Sequence, residues 1–228
     1  MRILASVLVV PTLLLAWQWW ADTSIERRLS PIASQIAGRD VHVDCQTIWG
    51  ALIDVQPREG EVIFDRDGVP ESRIFLTHDT CRRLARFAGK SRHRELDCLS
   101  GVDWSQPTPL GFGDPCYEKA SRTIYAVLIL AHEAYHTAGV QSEAVTNCYA
   151  TQSMAYAAEA LGSEPNEAQY IALAMNRLLP LQPGSYQTND CNRGSPLDLH
   201  PKTPEFPTEL PIAPGHGIGG RKGLASGA

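Results

Sequence analysis

"LILAHEAYHTAGVQSEAV", residues 128–145, decides how this chain is read. The run "YAVLILA", residues 125–131, leads straight into His132, Glu133 and His136. A stretch that is apolar on every face marks a buried helix. Ionisable groups in such a place need partners, because burying them alone is costly. A helix turns about 100° per residue, so side chains four apart share a face roughly 6 Å apart along the axis. His132 and His136 therefore project side by side. Two imidazole nitrogens so placed can reach one metal ion at about 2.0–2.1 Å. Glu133 lies beside that ion rather than pointing at it, where it can take a proton from a water. This is the HExxH pattern, and the expected ion is zinc. The competing reading is a core helix whose histidines are satisfied by neighbouring carbonyls or carboxylates.

A catalytic zinc takes three protein ligands and leaves one position open. Gly139 is a natural helix stop and Ser142 a good cap for the next helix. Glu143 opens that helix, and a tight turn folds it back towards the two histidines. It is the preferred third ligand, with Asn147 one turn on to orient its carboxylate. An acidic first turn also suits the helix dipole with no metal at all. Asp198 and His200 in "SPLDLH" are rival ligands. His42, His78 and His93 lie in the other half of the chain and read as ordinary surface or loop residues.

"HEAYHTAG" followed by a downstream Glu resembles the zincin metallopeptidases. That resemblance implies that His132 and His136 bind zinc and that Glu133 is the general base. Gly139 is similar to the glycine of the metzincin pattern HExxHxxGxxH. The third His of that pattern is replaced here by Ser142, with Glu143 one step later. Gluzincins use a Glu from a following helix, usually after a longer insertion. The likeness spans residues 120–160, about a sixth of the chain. Exported bacterial proteins sharing this helix pair are also similar. Tyr149 and His200 are candidates for stabilising an oxyanion.

The remaining sequence sets the frame. The chain has 228 residues and a formal charge of −5, with no Lys/Arg-rich run, so nucleic-acid binding is not expected. "MRILASVLVVPTLLLAWQWWA", residues 1–21, reads as a signal peptide or an N-terminal membrane anchor, through which the protein would meet a membrane. Trp17, Trp19 and Trp20 suit a membrane–water interface. Six cysteines follow it, with no CxxC pair, and three disulfides in an oxidising compartment are expected. Of the 15 pairings that six cysteines allow, the sequential one is expected: Cys45–Cys81, Cys98–Cys116 and Cys148–Cys191.

Residues 22–39 read as a polar stalk or short helix, residues 40–200 as one domain, and the Pro/Gly-rich residues 201–228 as a disordered tail. "DVHVDC", "EVIFD" and "SRIFLT" alternate as strands do, with a turn at "RDGVPE". Helices are expected from "HDTCRRLARFAGK", residues 117–139, residues 143–162 and a segment opened by Ser163 and Pro165. The expected fold class is α+β: a small strand region, then a disulfide-braced helical half with the HExxH helix and the Glu143 helix. The expected function is a zinc-dependent (Zn2+) metallopeptidase-like hydrolase of the cell envelope. Its substrate would be a peptide or protein, and it would be exported and either anchored or secreted. The alternative is a non-catalytic, zinc-stabilised or disulfide-braced envelope interaction module.

Overall fold

The computed structural model describes residues 23–47, 50, 59–89, 96–103, 113–200, 202 and 206–207. Helix α1 occupies residues 23–37. Strands β1 (His42–Cys45), β2 (Gly60–Phe64) and β3 (Pro70–Leu76) follow, then α2 (His78–Phe87). The second half holds α3 (Pro115–Thr137), α4 (Glu143–Ala160) and α5 (Pro165–Leu178). The fold is α+β, as the sequence indicates. Residues 1–21, the expected export signal or anchor, lie outside the described residues. Among the described residues no helix is long and apolar enough to cross a membrane.

The sheet has the order β1-β3-β2, with β1 parallel and β2 antiparallel to β3. Alternation sends Val43, Cys45, Val62, Ile74 and Leu76 into the core. Asp65 closes the β2–β3 turn by accepting the amides of Asp67 and Val69 on its side chain. Gly68 supplies the positive φ of 75° that this turn needs.

Of the two readings of residues 22–39, the structure shows the helix, and it joins the core. Ile25, Leu29, Ile32 and Ala33 recur at helical spacing and are all buried in the common core. On an adjoining stripe, Glu26, Ser30 and Ser34 accept the backbone N–H groups of Cys45, Val43 and Val41 at 2.9, 3.0 and 2.9 Å. The outer edge of β1 is thus capped by side chains instead of another strand. Arg28 donates to the carbonyls of Ala88 and Leu161, the C-caps of α2 and α4. A cation there satisfies orphan carbonyls at two helix ends at once. Short polar residues hid this role, because each bonds to a strand amide rather than to water.

Helix α3 is the central element. It packs against α2, α4, α5, β2 and β3. Asp114 caps its start by accepting the amides of Cys116 and Tyr117. Pro165 opens α5 as expected, but Glu164 occupies the cap position and Ser163 makes no cap bond.

The disulfides are Cys45–Cys81, Cys98–Cys116 and Cys148–Cys191, the sequential pairing. They tie β1 to α2, the 3-10 turn Asp97–Gly101 to α3, and α4 to the segment after α5. Three disulfides point to an oxidising, extracytoplasmic environment. Within the expected tail, Phe206 is 3% exposed, as befits an aromatic ring with a large apolar surface to hide.

Candidate metal centre

Helix α3 ends in a Schellman motif. The amide of Val140 bonds to the Tyr135 carbonyl at 3.1 Å, and that of Gly139 bonds to the His136 carbonyl at 2.9 Å. Gly139 takes φ of 92°, the left-handed conformation that ends a helix this way. The reversal brings the Val140 carbonyl back over the last turn, where it accepts His136 Nδ1–H at 2.6 Å. Ser142 then caps α4, accepting the amide of Val145, and Glu143 occupies the first turn. Five residues, 138–142, thus suffice to turn the chain and aim Glu143 at the face it has just left.

On that face, His132 Nε2 lies 3.0 Å from His136 Nε2 and 3.0 Å from Glu143 Oε2. His136 Nε2 lies 3.5 Å from Glu143 Oε2. His132, Glu133 and His136 are buried, and the Glu143 side chain is 42% exposed, so the group opens to solvent on the Glu143 side.

The proton positions follow from the surrounding bonds. The Val140 carbonyl can only accept, so His136 carries its proton on Nδ1. Asn147 donates its Nδ2–H to the Tyr186 carbonyl at 3.2 Å, which leaves its Oδ1 to accept His132 Nδ1–H, also at 3.2 Å. Both Nε2 atoms then present lone pairs, and they face each other and a carboxylate oxygen. Three acceptors converging without a donor repel one another unless a cation lies among them. Donors held by one ion at about 2.0–2.1 Å in a tetrahedron stand roughly 3.3–3.4 Å apart. The observed separations of 3.0–3.5 Å match that spacing. The group His132, His136 and Glu143 can hold a metal ion.

Electrostatics agree with this donor chemistry. Burial, with the neighbouring His132 acting the same way, pushes His136 below the usual imidazole range and keeps its lone pair available. The close approach of His132 holds Glu143 below the usual carboxylate range despite the opposing effect of burial. Burial pushes Glu133 up to about 7, with His132 opposing and Glu143 and Glu61 adding to the rise. A cation bound beside it pulls that value back down.

The walls of the site were not legible in the sequence. A Cβ on Gly60 would lie 2.7 Å from Glu133 Cγ and 2.8 Å from Ile129 Cγ2, so β2 can lie this close only as glycine. Phe64 at the other end of β2 meets His136 edge-on, with ring centroids 6.0 Å apart. Tyr186, in the 3-10 turn Gly184–Tyr186, lies 6.0 Å from the His132 ring. The Schellman signal at Gly139 could have pointed to Val140. "PGSY" carries no signal for Tyr186 beyond its turn residues.

Several expectations are redirected. Asn147 bonds to His132, not to Glu143, because its turn of α4 faces the first histidine. Asp198 spends its carboxylate on the amides of Gly194 and His200, and neither Asp198 nor His200 is in the donor group. Their segment is instead docked on α4 by Gln152, which bonds to the carbonyl of Leu197 and the amide of Leu199. Tyr149 packs on Tyr135 at 5.4 Å rather than on the histidines. His42 starts β1 and His78 starts α2, away from the donor group, while His93 lies outside the described residues. No protein-family model matches this chain, and no curated protein and no solved structure matches it.

Proposed function

We propose that this protein is a zinc-dependent, metallopeptidase-like hydrolase of the cell envelope, of the zincin type. The observation that carries the reading is the convergence of His132 Nε2, His136 Nε2 and Glu143 Oε2 within 3.0–3.5 Å, with Glu133 buried alongside. Three protein donors are what a hydrolytic zinc uses, whereas a structural zinc is closed by four. Zinc held there supplies Lewis acidity, polarising a scissile carbonyl and acidifying a water.

The chain's own residues do the rest. Glu133 takes the proton from the attacking water at its carboxylate and passes it to the leaving amine. Asn147 and the Val140 carbonyl hold the two imidazoles in the donor tautomer. Among the described residues strand β2 ends the sheet order β1-β3-β2, and it passes over Glu133 and His136. Its main-chain groups suit an extended peptide, which supports a peptide or protein substrate. The three disulfides support an exported protein, for which the apolar residues 1–21 would serve as signal or anchor.

Metal analysis of the purified, disulfide-bonded protein, followed by cleavage of a peptide library, tests this. One zinc per chain and peptide cleavage abolished by Glu133→Gln are expected. A protein that binds no zinc, or cleavage indifferent to that substitution, overturns the reading. A zinc closed by four protein ligands would point instead to the non-catalytic envelope module.

A further inference from the structure

The loop after α5 is strapped to α3 and α4, the two helices of the donor group. At its start, Gln182 Nε2 donates to the Tyr125 hydroxyl of α3 at 2.7 Å. Further on, Gln152 of α4 bonds to the Leu197 carbonyl and the Leu199 amide, at 2.8 Å each. Between these holds, two consecutive residues of α4 grip the loop. Asn147 donates its Nδ2–H to the Tyr186 carbonyl at 3.2 Å, and Cys148 is joined to Cys191 by a disulfide. The other end of the Asn147 amide, Oδ1, accepts His132 Nδ1–H at 3.2 Å. An amide whose nitrogen is committed does not turn over. Its oxygen therefore stays on the imidazole and holds that ring in the tautomer that offers Nε2 to a metal. The grip on the loop and the hold on His132 are thus neighbours on one turn of α4. The other two disulfides lie elsewhere. Cys45–Cys81 joins β1 to α2, and Cys116 precedes His132 by sixteen positions on α3, roughly 24 Å along the helix.

We propose that the Cys148–Cys191 disulfide is a redox control on the metal centre. Closed, it keeps the loop in place and Asn147 on His132; opened by a dithiol reductant, it releases the loop and lowers the affinity for zinc. This inference rests on the metal reading above. The chemistry is thiol–disulfide exchange. Cys148 is 1% exposed and Cys191 half-buried, so the incoming thiolate reaches Cys191 Sγ. A mixed disulfide forms there as the Cys148–Cys191 bond breaks, and Cys148 leaves as the thiolate. Gln152 Nε2 lies 3.3 Å from Cys148 Sγ and donates to it, which eases that departure. The reductant's second thiol then closes on its first sulfur and releases Cys191. Two electrons and two protons pass from the dithiol to the two cysteines, and the dithiol becomes a cyclic disulfide. The freed stretch carries Tyr186, so the anchor of the Asn147 amide is loosened with it.

The test measures zinc affinity of the full chain by competition with a chromophoric chelator, for the wild type, Cys148→Ala/Cys191→Ala and Cys98→Ala/Cys116→Ala. The expected result is zinc bound about tenfold more weakly by the first variant, as when a group that orients a ligand is lost, and as tightly as in wild type by the second. Adding Cys148→Ala/Cys191→Ala to Asn147→Ala should cause no further loss, because both act through the one contact to His132. A disulfide that only stabilises the fold would give additive losses. Equal affinity in wild type and Cys148→Ala/Cys191→Ala, equal losses in the two disulfide variants, or an additive loss on Asn147→Ala each overturns this inference and leaves the metal reading standing. Should Cys148→Ala/Cys191→Ala not fold, the wild type is reduced stepwise with a phosphine, mass spectrometry identifies the disulfide that has opened, and zinc affinity is read on the same samples. Affinity that falls as Cys148–Cys191 opens, and not as Cys98–Cys116 opens, supports the inference; any other pattern overturns it. A wild type that takes up no zinc overturns the metal reading first, and this inference with it.

Discussion

His132 and His136 face each other through Nε2 atoms 3.0 Å apart, while each turns its Nδ1 proton to a different oxygen, that of Asn147 or Val140. Two neutral imidazoles held lone pair to lone pair are arranged for a cation. Replacing either histidine, or Glu143, by alanine removes one of three donors. Each variant is expected to lose zinc binding by about a hundredfold or more, read by chelator competition, while the disulfide-braced fold persists in circular dichroism.

Asn147 is expected to matter without touching the ion. Asn147→Ala leaves His132 free to rotate or change tautomer and frees the Tyr186 carbonyl. Zinc affinity should fall by about 10–100-fold. Asn147→Asp keeps an acceptor for His132 but loses the donor to Tyr186, and should retain more of the affinity. Equal losses in the two variants would show that the His132 bond is not the source.

Gly60 sets how closely β2 can approach α3. Gly60→Ala puts a methyl 2.7 Å from Glu133 Cγ and 2.8 Å from Ile129 Cγ2. Overpacking of this kind costs roughly 1–3 kcal/mol. Chemical denaturation should show that loss, and Glu133→Ala in the same chain should recover part of it by vacating space.

Stability of the zinc-free protein should depend on pH through Glu133. Its carboxyl stands at about 7 in the folded protein, against a reference value of 4.5. The folded state therefore favours the protonated form. The contribution is fully present below pH 4.5 and is lost as pH rises through about 7. The loss is on the order of 3 kcal/mol. Denaturation midpoints of zinc-free wild type should fall across that window, and those of Glu133→Gln should fall less. Zinc should flatten the wild-type profile, because a nearby cation favours the ionised carboxylate.

Helix α1 is expected to be indispensable. Leu29 is fully buried, and Leu29→Ala should cost roughly 2–5 kcal/mol. Arg28→Ala removes the bonds to the Ala88 and Leu161 carbonyls and should lower the melting temperature without altering zinc affinity. A stalk would tolerate both substitutions.

Much of the fold was legible because its signals are local. Gly139 and Ser142 mark where one helix stops and the next begins, and both act at those positions through their own backbone or side chain. The i, i+4 spacing puts His132 and His136 on one face, whatever else the chain does. The Asp-Gly turn likewise announced the β2–β3 hairpin. The place of helix α1 in the core was not legible because Glu26, Ser30 and Ser34 look solvent-facing until β1 is placed beside them.

By itself the sequence determined the pair of histidines, the carboxylate between them, the turn that follows and an even set of cysteines placed after an apolar start. Each depends on residues a few positions apart, where helix and turn geometry leave little freedom. Only the tertiary structure decided that Glu143 closes on both imidazoles, that Asn147 serves His132, and that Gly60, Phe64 and Tyr186 form the walls. Those relations join segments up to about seventy residues apart in sequence. Packing of the sheet and the loop after α5 onto α3 fixes them, and no local pattern encodes a distance between elements that meet only in the folded chain.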